Sequence, residues 1–582
     1  MLVLAAVAIG LVPSQPANAA VTFVTISGKI TDAANGQPLV GACVAITAAG
    51  GTCQPQFPHT DTSGNYSITL PQGITWTFNF VACDYRTVTR NITTDITKTE
   101  NQALTYIGSP KPAPLAGTPT NSVYLPNITK TLGGATGWDT PFIVQNVDAA
   151  NATNLEINFY RFSDGCLITR RIVNGLQSFR SFADIPSNDT SLPNDTQFSV
   201  VIRSFGANVV SVVNEVQGVG DAFEGLSYAG TSAGNTTVYL PNVTRRFFGY
   251  DVPFIIQNLG SAQAHVSVDF VSFDTTVRYG IVVLADPRQS AVVDPDFLPA
   301  YNGQTNSGLR DGMQYSVTVT SDQPVAVVVN AHNEAGAPVA YSHNGLSAPG
   351  AAKLYAPYAA KNAEGIGRTS NVVVQNVGTT AVAPTLTFTP LGGGTPQTFA
   401  LASIPAGASR AFEALYTNGN SALSACTGAS TSCLGNGLFS LTIDAPGGQI
   451  AAVVLPFSAA TVMAYSAAPT AANRAFLPNV TRTLGGATGY TTPFYVQSAG
   501  ATSVNVKWYR FDTGALVLTQ ANITLPTAGA KEVDPRTVLG LSDDTQYAVV
   551  VEGNGGQIVA VVKEIAFTGG DAALMYEGFP GN

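Results

Sequence analysis

Tyr124-Leu-Pro-Asn-Ile-Thr-Lys130 opens a passage that the chain writes four times. It returns as Tyr239-Leu-Pro-Asn-Val-Thr-Arg245, as Tyr355-Ala-Pro-Tyr-Ala-Ala-Lys361 and as Phe476-Leu-Pro-Asn-Val-Thr-Arg482. Each copy then runs through a glycine-containing loop into an apolar strand ending in glutamine: PFIVQN to Asn146, PFIIQN to Asn258, NVVVQN to Asn376 and PFYVQS to Ser498. The copies start 115, 116 and 121 residues apart. That spacing is far above solenoid length and matches an independent sandwich domain.

Inside the first copy, Leu155–Phe162 alternates apolar and polar residues, turns at Ser163-Asp164-Gly165, and returns from Leu167. Strands at Phe198–Ser204, at Val209–Glu215 and near Tyr228 follow. Val266–Phe273, Pro384–Leu391 and Val504–Phe511 are the counterparts of the alternating strand. Seven or eight short strands separated by turn signals indicate an all-β sandwich, and no helical periodicity extends beyond a turn or two.

Upstream, ISGKITDAANGQPLVGACVAIT from Ile26 places Ile26 and Ile30, then Ala42, Val44 and Ile46, on one face of two strands. Asn35-Gly36 and Pro38 make the turn between them, and Asp61-Thr-Ser-Gly64 makes a hairpin into Tyr66–Leu70. The strand Thr75–Ala82 and a tyrosine at Tyr85 follow. The G-x-I-x-D…G-x-P-L-x-G-A-x-V opening, the D-x-x-G-x-Y hairpin and that tyrosine resemble the carboxypeptidase regulatory-like family over Ile26–Thr105. The resemblance implies a seven-stranded, transthyretin-like sandwich that does no chemistry itself. The three cysteines of this region are not part of the family pattern. The four later units resemble uncharacterised β-sandwich repeats of large secreted or surface proteins of environmental bacteria, a resemblance that implies no activity.

The expected fold is therefore an all-β, multidomain chain of β-sandwiches: one transthyretin-like domain and four repeats of immunoglobulin-like size. The division is 1–19 signal peptide, 20–107 regulatory-like domain, 108–120 Pro-rich linker, and repeats at 121–230, 231–346, 347–468 and 469–582. At 582 residues several domains are required. Charged residues make up 11% and apolar ones 45%, which excludes an acidic disordered chain. No basic run could neutralise a row of phosphates, so nucleic acid is not an expected partner. MLVLAAVAIGLV, ending in small residues near Ala19, reads as a signal peptide without its usual positive start. No later run reaches the about 18 apolar residues of a membrane span, and the final GFPGN holds no anchor signal. A secreted or cell-surface protein is expected, with no transmembrane segment once the signal peptide is removed.

Of the six cysteines, Cys426 and Cys433 could close a small loop; a pair among Cys43, Cys53 and Cys83 would leave one thiol and Cys166 unpaired. No cofactor and no metal is expected. His332 and His343, with Glu334 between, lack the spacing of a helical zinc motif. LGGATG, at 132–137 and 484–489, only imitates a phosphate loop.

Comparing the copies, the prolines Pro126, Pro241, Pro357 and Pro478 survive, as do Gln145, Gln257, Gln375 and Gln497, while no reactive residue recurs. Glu215 becomes Ala331, Pro456 and Glu564. No catalytic residue is therefore assigned, and the chain is read as a non-enzyme. Two polar features recur. Basic residues follow the opening strands and acidic ones the central hairpins, giving the expected salt bridges Lys130 with Asp184, Arg245 with Asp294, Lys361 with Glu413, and Arg482 with Asp534. Trp138, Tyr250 and Tyr490 sit in the glycine loops, with Arg368 in the third copy. Their rings either stack on a sugar or fold back over the sandwich edge. Sequons open three copies, at Asn127, Asn242 and Asn479. The expected role is structural, adhesive or display, as a rod of sandwiches; the alternative is carbohydrate binding through the loop aromatics. Polysaccharide or envelope proteins are the expected partners.

Overall fold

The computed structural model describes residues 21–47, 57–333, 335, 338–427, 430–567 and 569–581. The signal-peptide segment 1–19, Cys53 and Glu334 lie outside them. The chain divides into two compact units, Met1–Pro110 and Lys111–Asn582.

In the first unit, strand Phe23–Asp32 buries every second residue, as a strand between core and water does. It pairs with Asn65–Pro71, Lys98–Thr99 and Gln102–Leu104. A second sheet joins Cys43–Thr47, Thr75–Val81 and Val88–Thr93. Ile26, Ile30, Ala42, Val44, Ile46, Phe78 and Phe80 form a common core. The hairpin turns on Asp61, whose Oδ1 accepts from the amides of Ser63 (2.9 Å) and Asn65 (2.8 Å).

The second unit is built from one sheet pair used repeatedly. From Asn121, one sheet runs Leu167–Leu176, Thr153–Arg161, Thr196–Phe205, Asn121–Lys130. Its companion runs Ser181–Asp184, Phe142–Asn146, Val209–Gln217, Glu224–Ala229. Both orders recur in the segments that open at Asn235, Lys353 and Arg474. In the second segment a single strand, Met313–Asn333, passes through both sheets. The chain is thus nearly all β, a multidomain chain of β-sandwiches, interrupted by three-residue turns such as Pro186–Asn188 and Pro295–Phe297.

The strand Phe142–Asn146 has all five residues buried, and its counterparts explain why. Phe142 and Val144 face their own core, whereas Ile143 and Val212 enter the core of the fourth segment. Ile255 and Val328 enter the core of the first. Val373 and Val453 enter that of the second, and Tyr495 and Val561 that of the third. Each segment packs on the one before it, and the first packs on the last. The four therefore close into a ring, by one head-to-tail interface used four times. This corrects the expectation of a rod. The strands Glu224–Ala229, Ala340–Asn344, Tyr465–Ser466 and Ala573–Glu577 lie side by side in that cyclic order around the ring axis.

The Pro-rich stretch is held to the first segment: Pro112 O accepts from Arg170 Nη1 (2.8 Å), and the Leu115 amide donates to Glu156 (2.8 Å). Cys426 and Cys433 are bridged. Cys43, Cys83 and Cys166 are disulfide-bonded as well, and no described cysteine is free, which corrects the expectation of leftover thiols. Among the described residues no helix is long and apolar enough to cross a membrane.

Candidate functional site

The residues common to the four copies meet at the seams of the ring. A bulge in each opening strand falls at the proline and the residue after it, and a bulge leaves a main-chain group free of the ladder. Pro126 O accepts from Ser290 Oγ of the second segment (2.9 Å), and Pro478 O from Ser181 Oγ of the first (2.8 Å). The recurrent glutamine faces the same seam. Gln375 Nε2 donates to Val317 O (3.3 Å), and Gln497 Nε2 to Leu441 O (3.1 Å), each in the preceding segment.

Deeper in the seams lie acids that sequence reasoning weighed only as candidates for chemistry. Glu215 is buried and accepts from Asn127 of its own segment and Asn330 of the second, both at 2.9 Å. Glu564 accepts from Asn479 (2.7 Å) and from Asn214 of the first segment (2.9 Å). At the equivalent place between the third and fourth segments, Lys563 pairs with Glu364 and lies over the rings of Tyr358 and Tyr495, 5.2 and 5.5 Å from their centroids. Between the second and third, Ala331 and Leu455 simply share a core. Burial pushes the carboxyls of Glu215 and Glu564 up to about 7. Asp571, fully buried, accepts from the amides of Ala340 (3.0 Å) and Val462 (3.3 Å), and its own amide donates to Phe223 O (2.7 Å), so it touches all three other segments. Burial raises it to about 8. The signal that could have placed these groups is the amide–acid pairing of Asn214-Glu215 with Asn330 and Glu564, visible only once the copies are arranged cyclically.

The four expected salt bridges do not form. Lys130 Nζ donates to the carbonyls of Asp189 and Leu192 (2.6 and 2.8 Å), and Asp184 pairs with Arg171 instead. Arg245 donates to Leu298 O and Pro299 O and pairs with Asp311 (2.7 Å). Asp294 accepts from the Asp296 amide (2.9 Å). Lys361 Nζ donates to Leu434 O at 2.5 Å, while Glu413 accepts from the Ser421 amide. Arg482 reaches Pro535 O, Val538 O and Asp543, and Asp534 pairs with Arg536. The basic end folds under a loop rich in carbonyls, an acceptor that every residue type supplies. The opening sequons are equally occupied: Asn127, Asn242 and Asn479 are 2–4% exposed.

Trp138, Tyr250 and Tyr490 are half-buried and do not form an open row. Trp138 meets His332 of the second segment edge to face at 5.0 Å, and Tyr250 meets Tyr341 at 5.9 Å. Burial pushes the Tyr250 hydroxyl up to about 12 and raises Tyr490 further. Arg368, which replaces the ring in the third segment, is buried against Glu364 (2.8 Å). The two glycine loops receive carboxylates of the chain itself: Asp195 on the Gly133 amide (2.9 Å) and Asp544 on that of Gly485 (2.8 Å). His343 is a core residue whose burial lowers it to about 4. Among the described residues no trio of His, Cys, Asp or Glu has metal-holding geometry.

At the far end of the axial strands from Asp571, a cavity of about 320 Å³ opens among all four segments. Its walls include Ala229, Asn344, Ser466, Ile558, Glu577 and Phe579. Ala229, Asn344, Ser466 and Glu577 are counterparts, one from each segment. The Asn344 side chain exchanges hydrogen bonds with the main chain of Ala229 (2.9 and 2.6 Å), and Ser466 Oγ donates to Asn344 O (3.0 Å). Apolar walls with a few convergent polar groups are the make-up of a small-molecule site.

Residues 25–106 match the carboxypeptidase regulatory-like domain. No curated protein matches the chain. Among solved structures, the chain is similar to a candidate carbohydrate-binding protein of Bacteroides uniformis, at 12% identity over 34% of this chain and 90% of that one, with a TM-score of 0.16. The major pilin subunit BcpA of Bacillus cereus is 10% identical over 54% of this chain and 88% of that one, with a TM-score of 0.13. The tetra-tandem repeat from the extending region of a large adhesion protein is 13% identical over 75% and 94%, with a TM-score of 0.10.

Proposed function

We propose that this is a non-catalytic, secreted or cell-surface protein with a structural, adhesive or display role. In this reading residues 121–230, 231–346, 347–468 and 469–582 are four repeats that form a closed platform, and residues 20–107 are a separate regulatory-like domain. The observation that carries it is where the shared side chains are used. The carbonyls of Pro126 and Pro478, the hydroxyls of Ser290 and Ser181, the amides of Gln375 and Gln497 and the buried acids Glu215 and Glu564 all bond across seams between segments, and none of them is a nucleophile set beside a base. The disulfides fit an oxidising compartment. The test is fractionation of the producing cell with an antibody to the ring, followed by attachment assays on a deletion strain. Recovery in the envelope or medium with impaired attachment or surface integrity is expected; recovery in the cytoplasm would sink the proposal.

Carbohydrate binding is a second role, favoured by the convergence of half-exposed Tyr250 and Tyr490 near Asp571 at one end of the ring. A polysaccharide pull-down that is lost in the Trp138, Tyr250 and Tyr490 triple alanine variant would support it. Undiminished binding in that variant would remove these rings from the site.

A further inference from the structure

In each segment one sheet ends on a strand bonded along one side only: Leu167–Leu176, Arg278–Ala285, Gln397–Ala400 and Leu516–Thr524. An unpaired edge is a template for another strand unless something obstructs it. Three of the four are obstructed. Leu167–Leu176 breaks register twice against its neighbour and carries Arg170 and Arg171. Leu516–Thr524 also breaks register twice. Gln397–Ala400 is four residues long, and Gln397 bonds the disulfide loop at Cys433 O (3.2 Å) and the Gly435 amide (2.7 Å).

Arg278–Ala285 pairs with Ala264–Val271 over eight residues without a break. From Tyr279 to Ala285 it reads YGIVVLA, with no charge and no proline. The Gly280 amide donates to Asn306 Oδ1 (2.8 Å), away from the neighbouring strand. In an antiparallel ladder the outward main-chain groups alternate, so those of Val282 and Leu284 also point outward. Val282 is 70% exposed. On the other face, Tyr279, Ile281 and Val283 extend the core but remain only partly covered.

We propose that this edge pairs with the same edge of a second copy, antiparallel about a two-fold axis through Val282. The strand is complementary to itself. Pairing about Val282 sets Val282 against Val282 and Gly280 against Leu284, so outward groups meet outward groups. It sets Ile281 against Val283, which completes both partly covered apolar rows. Between the two ends no like charges face each other, and Asp286, just past the strand, is buried and already accepts from Gln263 Nε2 (2.9 Å). Asn306 gives up the Gly280 amide as the strands meet.

Sedimentation velocity on the full chain, from about 1 to about 100 µM, tests this. A species of twice the 60.2 kDa chain mass is expected to accumulate with concentration. Val282→Lys should weaken it at least tenfold while leaving thermal unfolding unchanged, because the side chain is exposed. Val282→Pro, which removes an outward amide, should act likewise. A chain that stays monomeric throughout, or a dimer indifferent to Val282→Lys, overturns the proposal.

Discussion

Glu215 and Glu564 each sit among amide donors from two segments, with no cation in contact, and burial holds both near 7 in place of the ordinary 4.5. An acid whose folded pKa lies above its unfolded value keeps its proton in the folded state across the interval between them. Its contribution to stability is then full below the lower value and is lost as pH rises through the upper one. Asp571, raised to about 8, adds in the same direction. Thermal unfolding is therefore expected at a higher temperature at pH 5.5 than at pH 8. The Glu215→Gln, Glu564→Gln double variant should narrow that difference and leave the share due to Asp571, as differential scanning fluorimetry can show. A second prediction concerns Asn127, Asn242 and Asn479. Their buried amides are unavailable in the folded protein, so peptide mapping of folded material from a glycosylating host should find them bare.

The strand patterns were legible from sequence because alternation reports a face in water, as in Phe23–Asp32. The seam strands were harder to read. FIV, FII, VVV and FYV are continuous apolar runs, and such a run marks a strand covered on both faces. It names no partner for the second face, and nothing local says that the partner is the preceding copy. The basic residue after each opening strand was equally visible, but its carbonyl acceptors leave no trace in sequence, so the charge pairing assumed for Lys130 or Arg482 failed. The double coverage makes a quantitative prediction. Ile143→Ala should cost about 2–4 kcal/mol in urea unfolding, the range for a fully packed core site, although Ile143 contributes nothing to its own segment's core. An effect below about 0.5 kcal/mol would mean that the seam is loose.

Across the whole ring, every segment lends at least two buried side chains to its neighbour's core and receives at least two from the other side. Independent beads on a string would unfold in separate steps. Here, opening one seam exposes half-finished cores on both sides of it, so residues 111–582 should unfold in a single calorimetric transition. Separately melting segments would contradict this coupling. The copy number also follows from the interface. A head-to-tail contact that closes after four copies fixes a quarter turn per copy, leaving a fifth no seat and a third no closure. Lineages that lengthen or shorten this array by one unit would have to remake the angle at every seam, so relatives of this ring are expected to keep four copies while their loops and edges diverge.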